Sequence, residues 1–223
     1  MKKKNIAAFF DFDGTIYHGL VAFDIFMFAF RNRIMSFSEM IKLSQLSYYY
    51  MLDKLNLADR VSINEGMYKK IKGLKSKVLF ESASEKFFSY NKNKKFYADI
   101  LDIIKRHTKK GHRIVVVTST IKEIVGPARK WIKIDEIIAT EVETKNGIYT
   151  GTVKILPVGQ NRINIIKDYC RKHDINLSSS YAYSDHFSDI PLLESIGNAI
   201  VTGPDKKLRA HAMKKGWKII DHR

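Results

Sequence analysis

Short apolar runs, separated by stretches of helical spacing, constrain the fold of this chain more than any other feature. Residues 6–10, 113–117, 181–184 and 199–201 are each rich in Val, Ile, Ala or aromatic residues and read as strands buried on both faces. Between and beyond them, 96–110 with its stop at Gly111, 162–173, 188–196 and 206–215 have helical patterns, and 217–220 reads as a last strand. Such alternation predicts a mostly parallel sheet with helices on both faces. A hairpin is expected where Lys145-Asn146-Gly147 separates Glu141-Val142-Glu143 from Ile148-Tyr149-Thr150, because Asn-Gly favours a two-residue turn.

Residues 21–91 follow a different pattern. Aromatic-rich segments alternate with lysines, and no proline occurs from Met1 to Gly126, which predicts consecutive helices. Ser36-Phe37-Ser38-Glu39 has capping-box spacing and precedes Met40, Ile41, Leu43 and Leu46. Phe23, Phe26, Met27 and Phe30 share a helical face and read as the core of this segment rather than a substrate pocket. Lys69, Lys70, Lys72, Lys75 and Lys77 read as a solvated face, and Tyr48-Tyr49-Tyr50 hints weakly at stacking on nucleic acid. With no repeat or glycine-serine linker, the helical middle is expected to be inserted into the sheet domain.

With 223 residues and 45% apolar content the chain can bury a sizeable core. The lone Cys170 excludes a disulfide framework and reads as a packed helix residue in a reducing compartment. The basic start Met1-Lys2-Lys3-Lys4-Asn5 leads into an apolar run halted by Asp11 and Asp13, short of the roughly 7–15 apolar residues of a signal peptide. The stretch 20–30 is too short to span a bilayer. A cytoplasmic location with no membrane span is therefore expected. The formal charge of +16 would draw nucleic acid, anionic lipid or phosphorylated metabolites alike.

The chemistry is concentrated beyond the carboxyl ends of the strands, where open α/β sheets bind ligands. Asp11 and Asp13 lie two apart on an extended segment, which would bring like charges close and calls for a neutralising cation. Asp185 and Asp189 add a second acidic pair, completing an oxygen-rich nest suited to Mg²⁺. A carboxylate held in such a nest can attack phosphorus, and Asp11 is the candidate nucleophile. Asp13 is the candidate acid and base. Donors to phosphoryl oxygens could come from the Thr118 hydroxyl, the Ser119 N–H and the cation Arg162. His186 reads as a surface loop residue, and His18 as a turn residue or a substrate contact.

These residues resemble the haloacid dehalogenase superfamily, in its phosphoserine-phosphatase-like branch, over nearly the whole chain. Asp11-Phe12-Asp13-Gly14-Thr15 is similar to its first motif, Val115-Val116-Val117-Thr118 to its second, and 183–193 to its fourth. The resemblance implies a doubly wound, Rossmann-like α/β core made of residues 1–16 and 96–223, with an inserted helical cap at 17–95. It also implies that Asp11 is nucleophile and metal ligand, Asp13 acid/base and ligand through its carbonyl, Asp185 the third ligand, and Asp189 its supporting carboxylate. Two positions depart from the pattern. Arg162 stands in place of the usual lysine, and Leu20 stands where the branch has a glutamate that receives the substrate amine, which argues against phosphoserine.

The expected activity is Mg²⁺-dependent hydrolysis of a small phosphomonoester through an aspartyl-phosphate. The expected partner is a small phosphorylated metabolite rather than nucleic acid, and the oligomeric state is left open. Transfer to an acceptor alcohol, a signalling receiver and a basic binding protein with a decayed site are the alternatives.

Overall fold

In a computed structural model, which describes residues 5–45, 49, 60–75 and 77–222, the first apolar run forms β1 (Ala7–Phe10), buried throughout. The chain then runs through α1 (Val21–Arg31), α2 (Phe37–Ser44), α3 (Arg60–Lys70), a π-helical stretch at Lys77–Ser82 and α4 (Ala83–Lys95). Next come α5 (Ala98–Lys109), β2 (Arg113–Ile121), α6 (Lys122–Val125), a 3₁₀ segment (Gly126–Lys130), β3 (Glu136–Lys145) and β4 (Ile148–Ile155). The remaining elements are α7 (Gly159–Lys172), β5 (Tyr181–Ser184), α8 (Ile190–Glu194), β6 (Asn198–Thr202), α9 (Lys206–Lys215) and β7 (Lys218–Ile220), with short 3₁₀ turns before β5 and α8.

The seven strands form one sheet ordered β4-β3-β2-β1-β5-β6-β7, parallel except for the β3–β4 hairpin. Strand periodicity divides the core into two layers. Ala8, Phe10, Ile114 and Val116 pack with Ile100, Ile103 and Ile104 of α5 on one face. On the other, Ala7, Phe9, Val115 and Val117 pack with Ile166 and Cys170 of α7, Leu193 of α8, and Leu208 and Ala212 of α9. The chain moves from β1 toward β2 and β3 on one side and from β5 toward β6 and β7 on the other. The β1/β5 boundary is thus the topological switch point, where a crevice opens beyond the strand ends.

The helical segment leaves and re-enters the sheet through two adjacent passes. Tyr17 and Phe96 form an antiparallel bridge, the His18 N–H donates to the Lys95 carbonyl at 2.7 Å, and the Tyr97 N–H donates to the Ile16 carbonyl at 3.0 Å. Aromatic rings seal this junction, Phe12 lying 5.9 Å from Tyr17, 6.5 Å from Phe88 and 6.4 Å from Phe96. Each fully buried ring of this kind contributes on the order of 2 kcal/mol. The far end of the segment is tied to the hairpin, with the Gly73 N–H on the Tyr149 carbonyl at 2.8 Å and the Tyr149 N–H on the Leu74 carbonyl at 3.0 Å.

The hairpin turn uses Asn146 at φ 53 and Gly147 at φ 74, the left-handed pair that Asn-Gly supplies. The capping box at Ser36 and Glu39 is present in full. Three sequence expectations are corrected. The buried stripe of α1 is Val21, Ile25 and Ala29, while Phe23 is 60% exposed, because the helix is apolar nearly all round and packing against α4 selects the small-residue face. β2 continues past Val117 to Ile121, with a bulge. Partners step from Val117/Ile138 to Ile121/Thr140, so 121 − 117 = 4 positions oppose 140 − 138 = 2. The helix expected over 188–196 splits into a 3₁₀ turn at Phe187–Asp189 and α8, which starts with Pro near its amino end. Of the tyrosine triplet, Tyr48 and Tyr50 lie outside the described residues, as does the side chain of Lys77. No helix among the described residues is long and apolar enough to cross a membrane.

Candidate active site

The switch-point crevice brings the acidic residues together. Asp11 follows β1 directly, and its N–H donates to the Tyr183 carbonyl of β5 at 3.0 Å, which fixes where the first carboxylate emerges. Asp185 follows β5 on the other side of the same boundary. Its carbonyl accepts the Asp205 N–H at 3.0 Å, and its Oδ1 accepts the Thr15 hydroxyl at 3.2 Å. Gly14, at φ +77, is required here, since a Cβ would lie 2.1 Å from the Asp185 Oδ2.

Asp13 faces the helical segment. Its Oδ1 accepts the Val21 N–H at 2.6 Å, at the first turn of α1, and its Oδ2 accepts the Thr120 hydroxyl at 2.8 Å. Both oxygens of the Asp13 side chain thus accept from protein donors. Among the described residues no group of three or more His, Cys, Asp or Glu side chains is assembled as a metal cluster.

Arg162, on the first turn of α7, is 7% exposed rather than solvated. Its Nε donates to the Pro157 carbonyl at 2.9 Å, its Nη1 pairs with the Asp189 Oδ1, and its Nη2 lies 3.6 Å from the Asp11 Oδ1. Asp189 is 5% exposed, and its Oδ2 accepts the Ser184 hydroxyl at 2.6 Å. The guanidinium thus links the two acidic pairs.

Burial pushes all three central carboxyls upward. Asp11 is raised well above its ordinary value by burial, against the pull of Arg162 and with further upward pressure from Asp189, Asp185 and Asp13. Asp13 is raised to about 6 by burial, moderated by the Val21 N–H and the Thr120 hydroxyl. Asp185 is raised to about 7 by burial and then by Asp189. A pocket this short of positive charge suits a divalent cation. The Asp11 and Asp185 carboxylates are hard oxygens of the kind Mg²⁺ takes, and Arg162, already paired with Asp189, does not balance their charge.

The bulge at the end of β2 supplies the neutral groups. The Thr118 Oγ1 accepts the Thr120 N–H at 3.1 Å, while the Ser119 carbonyl accepts the Thr140 hydroxyl at 2.6 Å and the Tyr68 hydroxyl. The peptide joining Ser119 to Thr120 is therefore held from both sides, and Tyr68 of α3 reaches from the helical segment into the crevice. Tyr68, Thr15, Ser184 and Thr140 were not singled out from the sequence. Thr15 lies in a motif that was, whereas Tyr68 carries no local signal, since its partner is 51 positions away. His186 is half-buried, its Nδ1 2.9 Å from the Ser188 hydroxyl, and His18 is exposed with its ring 5.3 Å from Tyr97.

The family profile for haloacid dehalogenase-like hydrolases matches residues 8–194. The chain belongs to that family. Among curated relatives, a probable phosphatase of Mycobacterium tuberculosis is 34% identical over 124 residues, covering 56% of this chain and 43% of its own length. A phosphoserine phosphatase of the same organism is 24% identical over 97% of this chain and 71% of its own. A crystal structure of a protein of unknown function from Bordetella pertussis superposes with a TM-score of 0.81 at 21% identity, covering 98% of this chain and 99% of that one, and shares the fold. The chain spans less than half the length of three curated relatives that it matches at 32–34% identity.

Proposed function

We propose that this haloacid dehalogenase-like chain is a Mg²⁺-dependent phosphatase of a small phosphomonoester, working through an aspartyl-phosphate at Asp11. The observation that carries the reading is the position of Asp11 at the β1/β5 switch point, with Arg162 3.6 Å away and Asp185 across the boundary. Relatives named as phosphatases support it. An Asp11 carboxylate oxygen attacks phosphorus, and the bond from phosphorus to the ester oxygen breaks. Protonated Asp13 gives its proton to the departing alkoxide, leaving as an alcohol. Ionised Asp13 then takes a proton from water as that water attacks phosphorus, which frees phosphate and restores Asp11. A carboxyl raised to about 6 can serve in both directions near neutral pH.

Phosphoryl oxygens are received by the Thr118 hydroxyl, the Ser119 N–H and Arg162, with Asp189 orienting the guanidinium. The Asp11 and Asp185 carboxylates and the Asp13 carbonyl would hold Mg²⁺, which when bound supplies charge neutralisation for phosphate and carboxylate. Residues 17–95 act as a helical cap on a core of 1–16 and 96–223. Closing it would exclude bulk water, and among the described residues Val21 reaches Asp13 and Tyr68 reaches Ser119 from this segment. Exposed Leu20 offers no charge to an amine, which argues against phosphoserine. The setting is cytoplasmic on this reading.

The test is Asp11→Asn, which should abolish hydrolysis of an aryl phosphate while leaving the circular dichroism spectrum unchanged. Retained turnover in a folded variant refutes the mechanism.

A further inference from the structure

A cavity of about 190 Å³ lies between the carboxyl-terminal half of α5 and strands β5, β6 and β7, lined by none of the residues discussed above as catalytic. Tyr181, Tyr183, Ile200 and Ile220 give it an apolar, aromatic floor. Arg106 in the last turn of α5, Lys110 at its C-cap and Lys218 on β7 make its rim, and none of its lining residues is acidic.

The helix explains only part of this arrangement. Arg106 and Lys110 are like charges at i,i+4 spacing, which repel. The carboxyl end of a helix favours cations, and that accounts for these two but not for Lys218, which belongs to a strand. Among the described residues none of the three joins an ion pair, while neighbouring Lys105 pairs with Asp102 at 2.9 Å. The positive field also shows on His107, 6% exposed in the wall, whose pKa is lowered to about 4 by burial first and then by His112, Lys110 and Arg106. The wall is tied together by polar and ring contacts. The His107 Nε2 lies 2.8 Å from the Tyr183 hydroxyl, its Nδ1 lies 2.8 Å from the His112 Nδ1, and the Tyr183 ring stacks on Phe10 at 4.4 Å.

We propose that this cavity binds an amphipathic anion, with a flat apolar body on Tyr181 and Tyr183 and one terminal phosphate, sulfonate or carboxylate held among Arg106, Lys110 and Lys218. The volume suits a single ring with its charged group, below the roughly 300–1,000 Å³ of drug-sized sites. Rim cations supply orientation and salt sensitivity, and the floor supplies apolar burial.

Benzenesulfonate, which carries no hydrolysable ester, is the probe, titrated into the full chain by calorimetry with protein-observed NMR. Saturable binding is expected, perturbing the resonances of the Tyr181–Tyr183 strand, weakening with salt, and unchanged in Asp11→Asn. The Arg106→Glu/Lys218→Glu double variant should lose on the order of tenfold in affinity or more, and Lys218→Gln, a single exposed change, an intermediate amount. Methanesulfonate, which keeps the headgroup without the ring, should bind on the order of tenfold more weakly. Absence of saturable binding, equal affinity in the charge-reversed variant, or equal binding of the two sulfonates would each overturn the proposal.

Discussion

Stripping divalent metal should make the folded chain lose stability as the pH rises from about 4 to about 7. Asp13 and Asp185 ordinarily titrate at 3.8 and are raised to about 6 and about 7 in the fold. Below the unfolded value both carboxyls are protonated in either state, and burying them costs no charge. As the pH climbs through the folded values they ionise in the folded state too, and only there is the charge buried. The stabilisation is therefore complete in acid and lost on the way to neutrality. At about 1.4 kcal/mol for each tenfold difference in proton affinity, Asp13 accounts for about 3 kcal/mol and Asp185 for about 4 kcal/mol. That is a large part of the roughly 5–15 kcal/mol that holds a domain folded. A divalent cation on Asp185 and Asp11 offsets much of the cost. Urea unfolding followed by circular dichroism between about pH 5 and about pH 8 reads it out. With chelator, several kcal/mol should disappear across that range, and with Mg²⁺ the loss should be much smaller. In Asp185→Asn the slope should fall, with a weaker response to Mg²⁺. A chelated protein as stable at the upper pH as at the lower, or a profile that Mg²⁺ leaves unaltered, would refute the reasoning.

Two substitutions test the geometry around these acids. Gly14→Ala sets a Cβ 2.1 Å from the Asp185 Oδ2 at a φ of +77, so it should cost about 1–3 kcal/mol in urea unfolding and reduce aryl phosphate turnover to background. An active, stable variant would mean that Asp185 can stand elsewhere. Arg162→Ala strands Asp189 as a buried unpaired charge and should cost about 3–5 kcal/mol, whereas Arg162→Lys should recover much of that stability while raising KM, because an ammonium cannot reach Pro157, Asp189 and Asp11 together. Equal KM values for the lysine variant and the wild type would remove Arg162 from phosphate binding.

Features fixed by local chemistry were legible in the sequence. The strands ending at Phe10 and Ser184 are short apolar runs, Asn146-Gly147 encodes its own turn, and Ser36 with Glu39 encodes its own cap. The acidic residues were legible because carboxylates at the ends of parallel strands converge wherever the sheet changes direction. Features decided through space were not. Nothing near Phe23 says that Val21, Ile25 and Ala29 will be the buried face, since either stripe of α1 is apolar enough and α4 makes the choice. Arg162 shows its charge in the sequence, but its commitment to Asp189 arises only when α7 packs beside the loop after β5. The Asp13 carboxyl turned toward Val21 and Thr120 for the same reason, and Tyr68 reaches Ser119 only because α3 docks on the hairpin.

The proposed reaction requires a phosphoryl group bonded, for part of each turnover, to one carboxylate. Rapid quenching during hydrolysis, followed by borohydride reduction and peptide mass spectrometry, reads that bond directly, because reduction of an acyl phosphate converts aspartate to homoserine. Homoserine at position 11, formed only with both substrate and Mg²⁺ present, is the predicted result. Homoserine at another aspartate, or none while phosphate is being released, would contradict it.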